Sequence, residues 1–458
     1  MFNVFCLSVA LSVGQGPPAE PFPTGTAGRA LIGEVTPSPL PRMTLPSAPM
    51  PIPGRVPYVT VAQNKDGTPT PMPPAKEAPK AAAAGDKCNA CEEKKEEEQK
   101  PEEKGHFMKL LDGTCTGKWM EDNRLSISGF SQGSYTATNH RSANTPILFQ
   151  NPTDRFLFNQ NWLTVEKTVD TEAKVPTWGF RVDAIVPGSD ARFVRQKYLF
   201  DDQTGRNQLD LYQFYAQFLF PDIAKGLDVK IGRMAVPYMA EVTPSIGNSL
   251  FSHSYAYYYN PFTHTGIWAT LKLSDNWSVG AIASTGNDVW FGSAANGMFV
   301  GILQWTSSDS NDTALLCVGL SNSQFNVREN FSQQSHVDVV YTHKFSDKFR
   351  YTLDIGAGWE DNIPGIAGTS WSWAVNYLTY DFTDKLSGTT RFEFFNDAEG
   401  FRTGFEGSYW ATTVGVTLKP CNSVWVRPEL RYDYNSESRP FDGNHGQFSA
   451  AADLIIKW

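Results

Sequence analysis

The chain has 458 residues, of which 13% are aromatic and 19% are charged, and it carries a net charge of −9. Its mean hydropathy of −0.35 argues against a bundle of membrane helices. The longest apolar runs, such as 314–320, are far shorter than the roughly 20 residues that a spanning helix needs. The negative charge argues against nucleic acid as a partner, because its phosphates would be repelled. The length allows two or three soluble domains or one large all-β domain, and the composition favours the latter.

Four segments precede the region of predicted strands. Residues 1–14 contain a short apolar stretch ending in small residues, as in a secretory signal peptide, although no Lys or Arg precedes it. Residues 15–85 are rich in Pro, Ala, Gly and Thr, which predicts a disordered linker. Residues 86–105 are highly charged, and residues 106–123 form a short lead-in. The organisation predicts an exported protein with a long N-terminal arm.

The charged segment allows several interpretations. Cys88 and Cys91 form a C-x-x-C motif, which suits a local disulfide, two idle thiols, a redox pair or half of a zinc site. No second C-x-x-C or suitably spaced His follows, so no metal or other cofactor is predicted. The following run of Glu and Lys is interpreted as a solvated helix or spacer. A contact with peptidoglycan or another periplasmic partner is the alternative.

From residue 124 to residue 458 the chain alternates between apolar and polar residues with the period of two that is typical of strands. In the clearest segment, one face carries Val424, Val426, Leu430, Tyr432 and Tyr434, and the other carries Arg427, Glu429, Arg431 and Asp433. A soluble sandwich and a membrane barrel both produce this alternation. The barrel places the apolar face toward lipid and the polar face toward a wet lumen.

The connections between strands favour the membrane barrel. Short turns alternate with longer Gly-containing loops, as in bacterial outer-membrane barrels. The steps between successive short turns and the last residue are 34, 38, 37, 37 and 37 residues, counted over Asp275, Asp309, Asp347, Asp384, Cys421 and Trp458. Each step fits one hairpin with strands of about ten residues, the span of a tilted membrane strand. The prediction is an all-β, transmembrane, antiparallel up-and-down barrel of about sixteen strands, with twelve or fourteen as alternatives.

Several motifs resemble those of one family. Residues 226–244, which include Gly-Arg-Met-Ala-Val-Pro-Tyr, the Asn-Pro-Phe-Thr-His-Thr-Gly of 260–266 and the strand 127–135 resemble blocks of the putative β-barrel porin-2 (OmpL-like) family. The resemblance covers the chain from about residue 105 to the end. It implies a channel in the cell outer membrane, in contact with outer-membrane lipid. Trp458, on the apolar face of the last strand, resembles the signal that the barrel-assembly machinery reads.

The longest predicted loop lies between the fifth and sixth strands, at 235–263. We expect it either to fold into the barrel and narrow the pore or to form an outer aromatic cap. Its candidate constriction residues are Phe251, His253, Tyr255, Tyr257 and Tyr258. Charged residues on the polar strand faces are predicted to line the lumen, where they tune ion preference or brace the wall through salt bridges. These residues are Arg181, Asp183, Asp228, Lys230, Arg350, Asp354, Arg391, Glu393, Arg427, Glu429, Arg431 and Asp433.

The favoured function is passive diffusion of small polar solutes or ions through a water-filled barrel, without catalysis. The acidic balance of the chain favours cations. One alternative is a plugged structural or adhesive barrel that is anchored through its N-terminal arm. A remote alternative is an outer-membrane lipid hydrolase, for which Ser252, His253 and His264 are the only candidates. A homotrimer is common among wide porins and is a further hypothesis.

Overall fold

The computed structural model describes residues 105–140, 146–196, 199–200, 202–235, 237–292, 297–321, 334–361 and 368–458. The predicted signal peptide, the Pro-rich linker, nearly all of the charged segment and the Cys88–Cys91 motif lie outside the described residues. None of the described helices is long or apolar enough to cross a membrane.

Sixteen antiparallel strands close into one barrel, in which each strand pairs with its sequence neighbours and the first strand pairs with the last. The prediction of an all-β, up-and-down barrel is confirmed, with the largest of the expected strand numbers. The strands are β1 (Leu125–Thr138), β2 (Phe156–Lys167), β3 (Thr177–Gly188), β4 (Gln208–Phe220), β5 (Leu227–Ala235), β6 (Thr263–Lys272), β7 (Trp277–Asn287), β8 (Met298–Thr306), β9 (Asp312–Ser321), β10 (Ser335–Lys344), β11 (Phe349–Asp361), β12 (Gly368–Thr383), β13 (Leu386–Asp397), β14 (Gly407–Cys421), β15 (Val424–Asn435) and β16 (Gly446–Lys457).

Alternation along the strands gives the barrel an apolar outside and a polar inside. On β15, Leu430 and Tyr432 keep about half of their surface exposed, at 53% and 50%, whereas Arg431 between them is 1% exposed. A soluble sandwich would bury the apolar residues instead. The inversion is typical of a barrel whose outer face meets lipid, where every backbone group must find its partner within the sheet.

Aromatic side chains gather at both rims of the outer face. At the end with the short turns, Phe345 stacks on Phe349 with 5.0 Å between ring centroids, and Tyr380 lies 5.0 Å from Phe382. At the other end, Phe156 covers Gly133, where a Cβ would come within 2.5 Å of the phenyl ring. Glycine therefore lets the ring lie flat on the sheet. Two aromatic belts are the usual boundary of a membrane-spanning band.

The connections alternate in length, as the sequence predicts. Residues 384–385 and 422–423 are two-residue turns, and 273–276 and 345–348 are also short. The opposite end carries the long loops, of which four matter below: L1 (139–155), L2 (189–207), L3 (236–262) and L7 (398–406). L3 is the longest of all the connections, and it lies between β5 and β6, as predicted.

Short helices complete the fold. The lead-in forms α1 (His106–Leu111) and α2 (Cys115–Asp122), and the Thr114 hydroxyl caps α2 by accepting a hydrogen bond from the Gly117 amide at 2.9 Å. His106 bonds to Ser423 in a short turn, so the helices lie at the short-turn end of the barrel. L2 contains α3 (Ala191–Val194), and L3 contains a 3-10 turn (Ser245–Gly247) and α4 (Tyr255–Tyr259).

Candidate functional site inside the barrel

L3 crosses the interior of the barrel. It leaves the wall at β5 and returns at β6, yet its middle contacts β13, β14 and β15, which lie on the opposite side of the sixteen-strand ring. On the way it contacts β2, where the Gln160 side chain donates to the Thr243 carbonyl oxygen at 2.8 Å and accepts from the Ser245 amide at 3.2 Å. A loop with partners on so many strands fills much of the cross-section.

Three arginines on β13 and β15 hold the main chain of L3, and we call them the arginine latch: Arg391, Arg427 and Arg431. Arg391 donates to the carbonyl oxygens of Ser252 and His253, at 2.5 and 3.2 Å. Arg431 also donates to the His253 carbonyl oxygen, at 2.7 Å. Arg427 donates to three further carbonyl oxygens, at 2.8, 2.7 and 3.1 Å, those of Ser245, Asn248 and Leu250.

Carboxylates complete the latch from the same strands. Glu429 accepts from the amides of Phe251 and Ser252, at 2.9 and 3.1 Å, and Glu393 accepts from the amide of Tyr255 at 2.8 Å. Each latch arginine is also ion-paired within the wall, in the pairs Arg391–Glu393, Arg427–Asp453 and Arg431–Asp433, at 3.1, 2.5 and 2.7 Å. Buried charges are tolerated where they are paired and hydrogen-bonded in this way.

Glu241 joins the first part of L3, residues 237–244, which we call the stem, to the latch. Its carboxylate accepts from Arg391 at 2.9 Å and from the Tyr377 hydroxyl at 2.7 Å, and it bonds to His253 Nδ1 at 2.8 Å. Burial alone would raise the pKa of this carboxyl, but the charges of Arg391 and His253 outweigh burial and lower the pKa to about 2. Glu241 is therefore an anion that ties two parts of the loop to one arginine.

The aromatic residues predicted as a constriction are packed inside the barrel. Phe251, His253, Tyr255, Tyr257 and Tyr258 are each at most 4% exposed. Burial raises the pKa of all three tyrosines, so their hydroxyls stay neutral donors. The Tyr255 hydroxyl donates to Asp433 on the wall at 2.9 Å, and the Tyr257 hydroxyl donates to Thr243 at 3.1 Å.

L1, L2 and L7 pack on the same aromatic cluster. The Phe149 ring of L1 lies 5.1 Å from the His253 ring and 4.9 Å from the Phe193 ring of L2. Arg402 of L7 donates to the Tyr259 carbonyl oxygen at 3.0 Å. The contact of these residues with inward-facing wall residues such as Phe395, whose ring lies 6.0 Å from that of Tyr255, favours the inward-folded loop over an outer aromatic cap.

The predicted lumen residues outside the latch also lie opposite the exposed apolar face of their strands. Arg181 is ion-paired with Asp183 at 2.9 Å, and Arg350 is ion-paired with Asp381 at 3.0 Å. Asp228 accepts from Gln217 at 2.6 Å, and the Lys230 ammonium lies over the Trp268 ring at 4.7 Å. Salt bridges thus engage several of the predicted residues, and their role in lining a pore stays a prediction.

A neighbouring part of the wall, β9 to β11, contacts L3 without an ion pair among the described residues. Asp354 accepts from the Ala240 amide and from Trp373 Nε1, both at 2.7 Å. Asp338 lies on β10, one inward position from Val340, which is the residue opposite Asp354, and it is 1% exposed. Neither oxygen of Asp338 has a partner with hydrogen-bond geometry within the described part of the chain. His336 is also 1% exposed, and both of its ring nitrogens are without a partner there. We call Asp338 and Asp354 the acidic pair.

Sequence reasoning missed Glu241, Asp338 and His336. The alternation on β10, where His336 and Asp338 are separated by single valines, could have identified the last two. Glu241 gives no such signal, because it lies in an irregular loop and acquires its role only where L3 reaches β13.

The candidates for hydrolysis are arranged for packing. The Ser252 hydroxyl accepts from Arg391 at 3.0 Å, and His253 Nδ1 is bonded to Glu241. His264 bonds through Nε2 to the Tyr238 hydroxyl at 2.8 Å. Among the described residues, no hydrogen bond joins a serine of this group to a histidine as a nucleophile and its base. The described residues also contain no group of three or more His, Cys, Asp or Glu that could hold a metal ion.

An apolar outer band between aromatic belts, a closed sheet and a polar interior with an inward-folded third long loop define the class of outer-membrane porins. The sequence model of the family described as "Putative beta-barrel porin-2, OmpL-like" matches residues 124–458. The chain therefore belongs to this family, as its motifs suggested.

Two solved structures illustrate the similarity of the fold. The outer-membrane channel DcaP of Acinetobacter baumannii is 10% identical, with a TM-score of 0.51 over 73% of this chain and 97% of that chain. OprB of Pseudomonas putida is 13% identical, with a TM-score of 0.50 over 75% of this chain and 96% of that chain. At these identities the similarity is one of fold alone. No curated protein matches the sequence.

Proposed function

We propose that this protein is a non-enzymatic porin of the outer membrane, through which small polar solutes or ions diffuse passively. The observation that carries the proposal is the inward-facing set of charged and polar side chains in a barrel of sixteen strands. A barrel of this size is too wide to be filled by its own wall side chains and leaves an aqueous channel. Loops then decide how much of that channel stays open.

We further propose that L3 forms the constriction. Its aromatic residues and the latch occupy the middle of the lumen, whereas the lumen at the short-turn end is lined by partly exposed residues such as Lys230 and Thr352. A wide vestibule would therefore lead to a narrow passage at L3. Such a passage admits ions and small solutes and rejects larger ones.

A plugged structural barrel is the second candidate, and a specific observation favours it. L3 is bonded to β2, β11, β13, β14 and β15, and the latch residues are almost fully buried. In this case the N-terminal arm would make the functional contacts, including one with peptidoglycan. Recognition of Trp458 by the assembly machinery and assembly as a homotrimer also stay predictions.

The test is single-channel recording of the purified, refolded full-length chain in a planar lipid bilayer in KCl. Folding is checked first by the heat-dependent mobility of the barrel in gel electrophoresis. We expect discrete, long-lived openings with a conductance below that of an unobstructed sixteen-stranded barrel. A folded barrel that never conducts would contradict the porin and leave the plugged barrel.

A further inference from the structure

We propose that the passage lies between the stem of L3 and the β9–β11 wall, and that the acidic pair is a binding site for permeating monovalent cations. This inference rests on the proposed function and deepens it, since it assigns both the route and the class of solute. It is carried by three features of this wall: its unpartnered polar atoms, the sign of its charges and its position beside open lumen.

The first feature is the contrast in hydrogen bonding. Both oxygens of Asp338 and both ring nitrogens of His336 lack a partner with hydrogen-bond geometry in the part of the chain that the structure describes. The main-chain amide of Met239 in L3 faces Asp338 without completing such a bond. Buried polar groups are rarely left in this state, because an unmade hydrogen bond costs about 1–3 kcal/mol. Groups that require a partner and have none in the protein suit water or a mobile ion.

The two unpartnered side chains, Asp338 and His336, lie on the same inward face of β10, beside the stem of L3. Asp338 lies opposite Cys317 in the register of β9 and β10, and His336 lies opposite Gly319, so all four positions share the inward face. The ring of His336 lies 4.2 Å from that of Tyr238 in the stem of L3, measured between centroids. A Cβ at Gly319 would come within 2.4 Å of the His336 ring, so this glycine provides the space that the imidazole occupies.

The second feature is the sign of the charge. Asp338 is paired in register with Gly356, and Asp354 is paired with Val340, so the two carboxyl groups are diagonal neighbours on adjacent strands. The charged groups that act on the acidic pair are acidic themselves, namely Asp354 on Asp338 and Glu241 on Asp354. Within the described residues, neither member forms an ion pair with Lys or Arg. Two neighbouring carboxyl groups without a counter-charge disfavour each other's ionisation, and a cation bound between them would supply the missing counter-charge.

The third feature is access. Val340 and Thr352 lie one inward position from the acidic pair, toward the short-turn end, and both are partly exposed. Open lumen therefore reaches to within one residue step of the site. On the β13–β15 side the latch binds the loop main chain directly, which leaves the stem side as the looser boundary of L3.

The first experiment measures ion selectivity. The full-length chain, the Asp338→Asn/Asp354→Asn double variant and an Asp275→Asn control are recorded in planar bilayers across a KCl gradient. The control removes one acidic charge in an exposed short turn, where Asp275 pairs with Lys225. We expect the wild type and the control to prefer K⁺ over Cl⁻, and the double variant to lose about threefold or more of that preference while it still conducts.

The outcomes separate the two proposals. A conducting wild type whose reversal potential is unchanged in the double variant would overturn the cation site and leave the porin standing. A folded wild type that never conducts would overturn both. Asparagine keeps the shape of the aspartate side chain, so the double variant should fold as the wild type does.

The second experiment locates the passage with Cys317, which lies opposite Asp338 in the register of β9 and β10. The other cysteines are replaced by serine, namely Cys6, Cys88, Cys91, Cys115 and Cys421. We expect a cationic thiosulfonate reagent to modify Cys317 and reduce the current, and an anionic reagent of equal size to react at least about tenfold more slowly. Equal rates for the two reagents, or no modification of a conducting barrel, would overturn the assigned route.

Discussion

L3 contacts two walls of the barrel with different chemistry. On β13 and β15, the latch arginines and their carboxylate partners bond to successive main-chain groups of the loop. On β10 and β11, Asp354 receives one loop amide and Asp338 receives no well-formed bond within the described residues. The same loop is thus anchored on one side and loosely bounded on the other.

If L3 forms the proposed constriction, this difference would explain how one loop can narrow a wide barrel without sealing it permanently. Hydrogen bonds from the charged latch side chains to the main chain fix the position of the tip of L3, residues 245–258, because such bonds do not depend on the side chains of the loop. The acidic pair, of which Asp338 has no partner within the described residues, then faces the stem, where a small separation would open a charged path. In this proposal, anchoring and permeation belong to different parts of the wall, β13–β15 and β9–β11, and each can be altered separately.

Removal of the loop tip should have the largest effect. Replacement of residues 245–258 by a short Gly-Ser linker deletes every main-chain group that the latch holds and empties the middle of the lumen. We expect the single-channel conductance to rise by about fivefold or more, because a sixteen-stranded barrel without an inserted loop leaves a wide channel. Planar-bilayer recording measures the change.

The control shortens another long loop. Residues 438–442, in the loop between β15 and β16, are replaced by a shorter Gly-Ser linker. This change shortens a loop at the same end of the barrel and leaves the latch intact. This variant should conduct like the wild type. If the tip deletion also leaves the conductance unchanged, L3 does not limit the pore, and the contrast between the walls has no functional meaning.

Removal of one latch arginine should have the next largest effect. Arg391→Met leaves Glu241 buried without its arginine and Glu393 with Arg431 alone, and breaking a buried ion pair in this way costs about 3–5 kcal/mol. We expect a lower melting temperature, new protease cleavage within L3 and noisier current. Limited proteolysis and thermal unfolding in detergent measure the first two effects.

Arg350→Met is the matched control, because Arg350 faces the lumen but pairs with a partly exposed carboxylate, Asp381, away from L3. Exposed and half-exposed pairs contribute about 1 kcal/mol or less. Equal losses of stability in the two variants would show that the latch is no stronger than an ordinary lumen salt bridge.

The sequence predicted the barrel because strand alternation and turn spacing are local signals. The face of each strand follows from a period of two, so Arg427, Arg431 and Asp433 could be placed in the lumen. The roles of these residues could not be predicted, because the main-chain groups that Arg427 holds lie in L3, about 180 positions earlier in the chain. Contacts of a long irregular loop with the far wall depend on the closed ring, for which no local pattern exists.

The choice between an inward constriction and an outer cap for L3 also depends on long-range contacts that leave no local pattern in the sequence. Its aromatic composition suits a lipid-facing cap as well as an inward plug, and only the carboxylate and arginine partners on β13 and β15 distinguish them. Glu241 was not predicted at all, since a lone glutamate in a loop is most often solvated.

The smallest expected effect is the pH dependence of the stability that Glu241 contributes. It tests how firmly the latch side of L3 is held. The folded-state pKa of Glu241 is about 2, below its ordinary value of 4.5. A group whose pKa is lowered on folding contributes stability that is fully present above its ordinary pKa and is lost as the pH falls through the folded pKa. The contribution of Glu241 should therefore be constant from pH 7 to about pH 5 and decline below 4.5.

Comparison of the wild type with Glu241→Gln measures this contribution. The difference in melting temperature between the two proteins should be the same at pH 7 and pH 5 and should shrink toward pH 3, because the variant has no charge to lose at position 241. A difference that already shrinks between pH 7 and pH 5 would contradict a strongly held anion. In that case the anchored wall would be as loosely bounded as the acidic one, and L3 would be free to move on both sides.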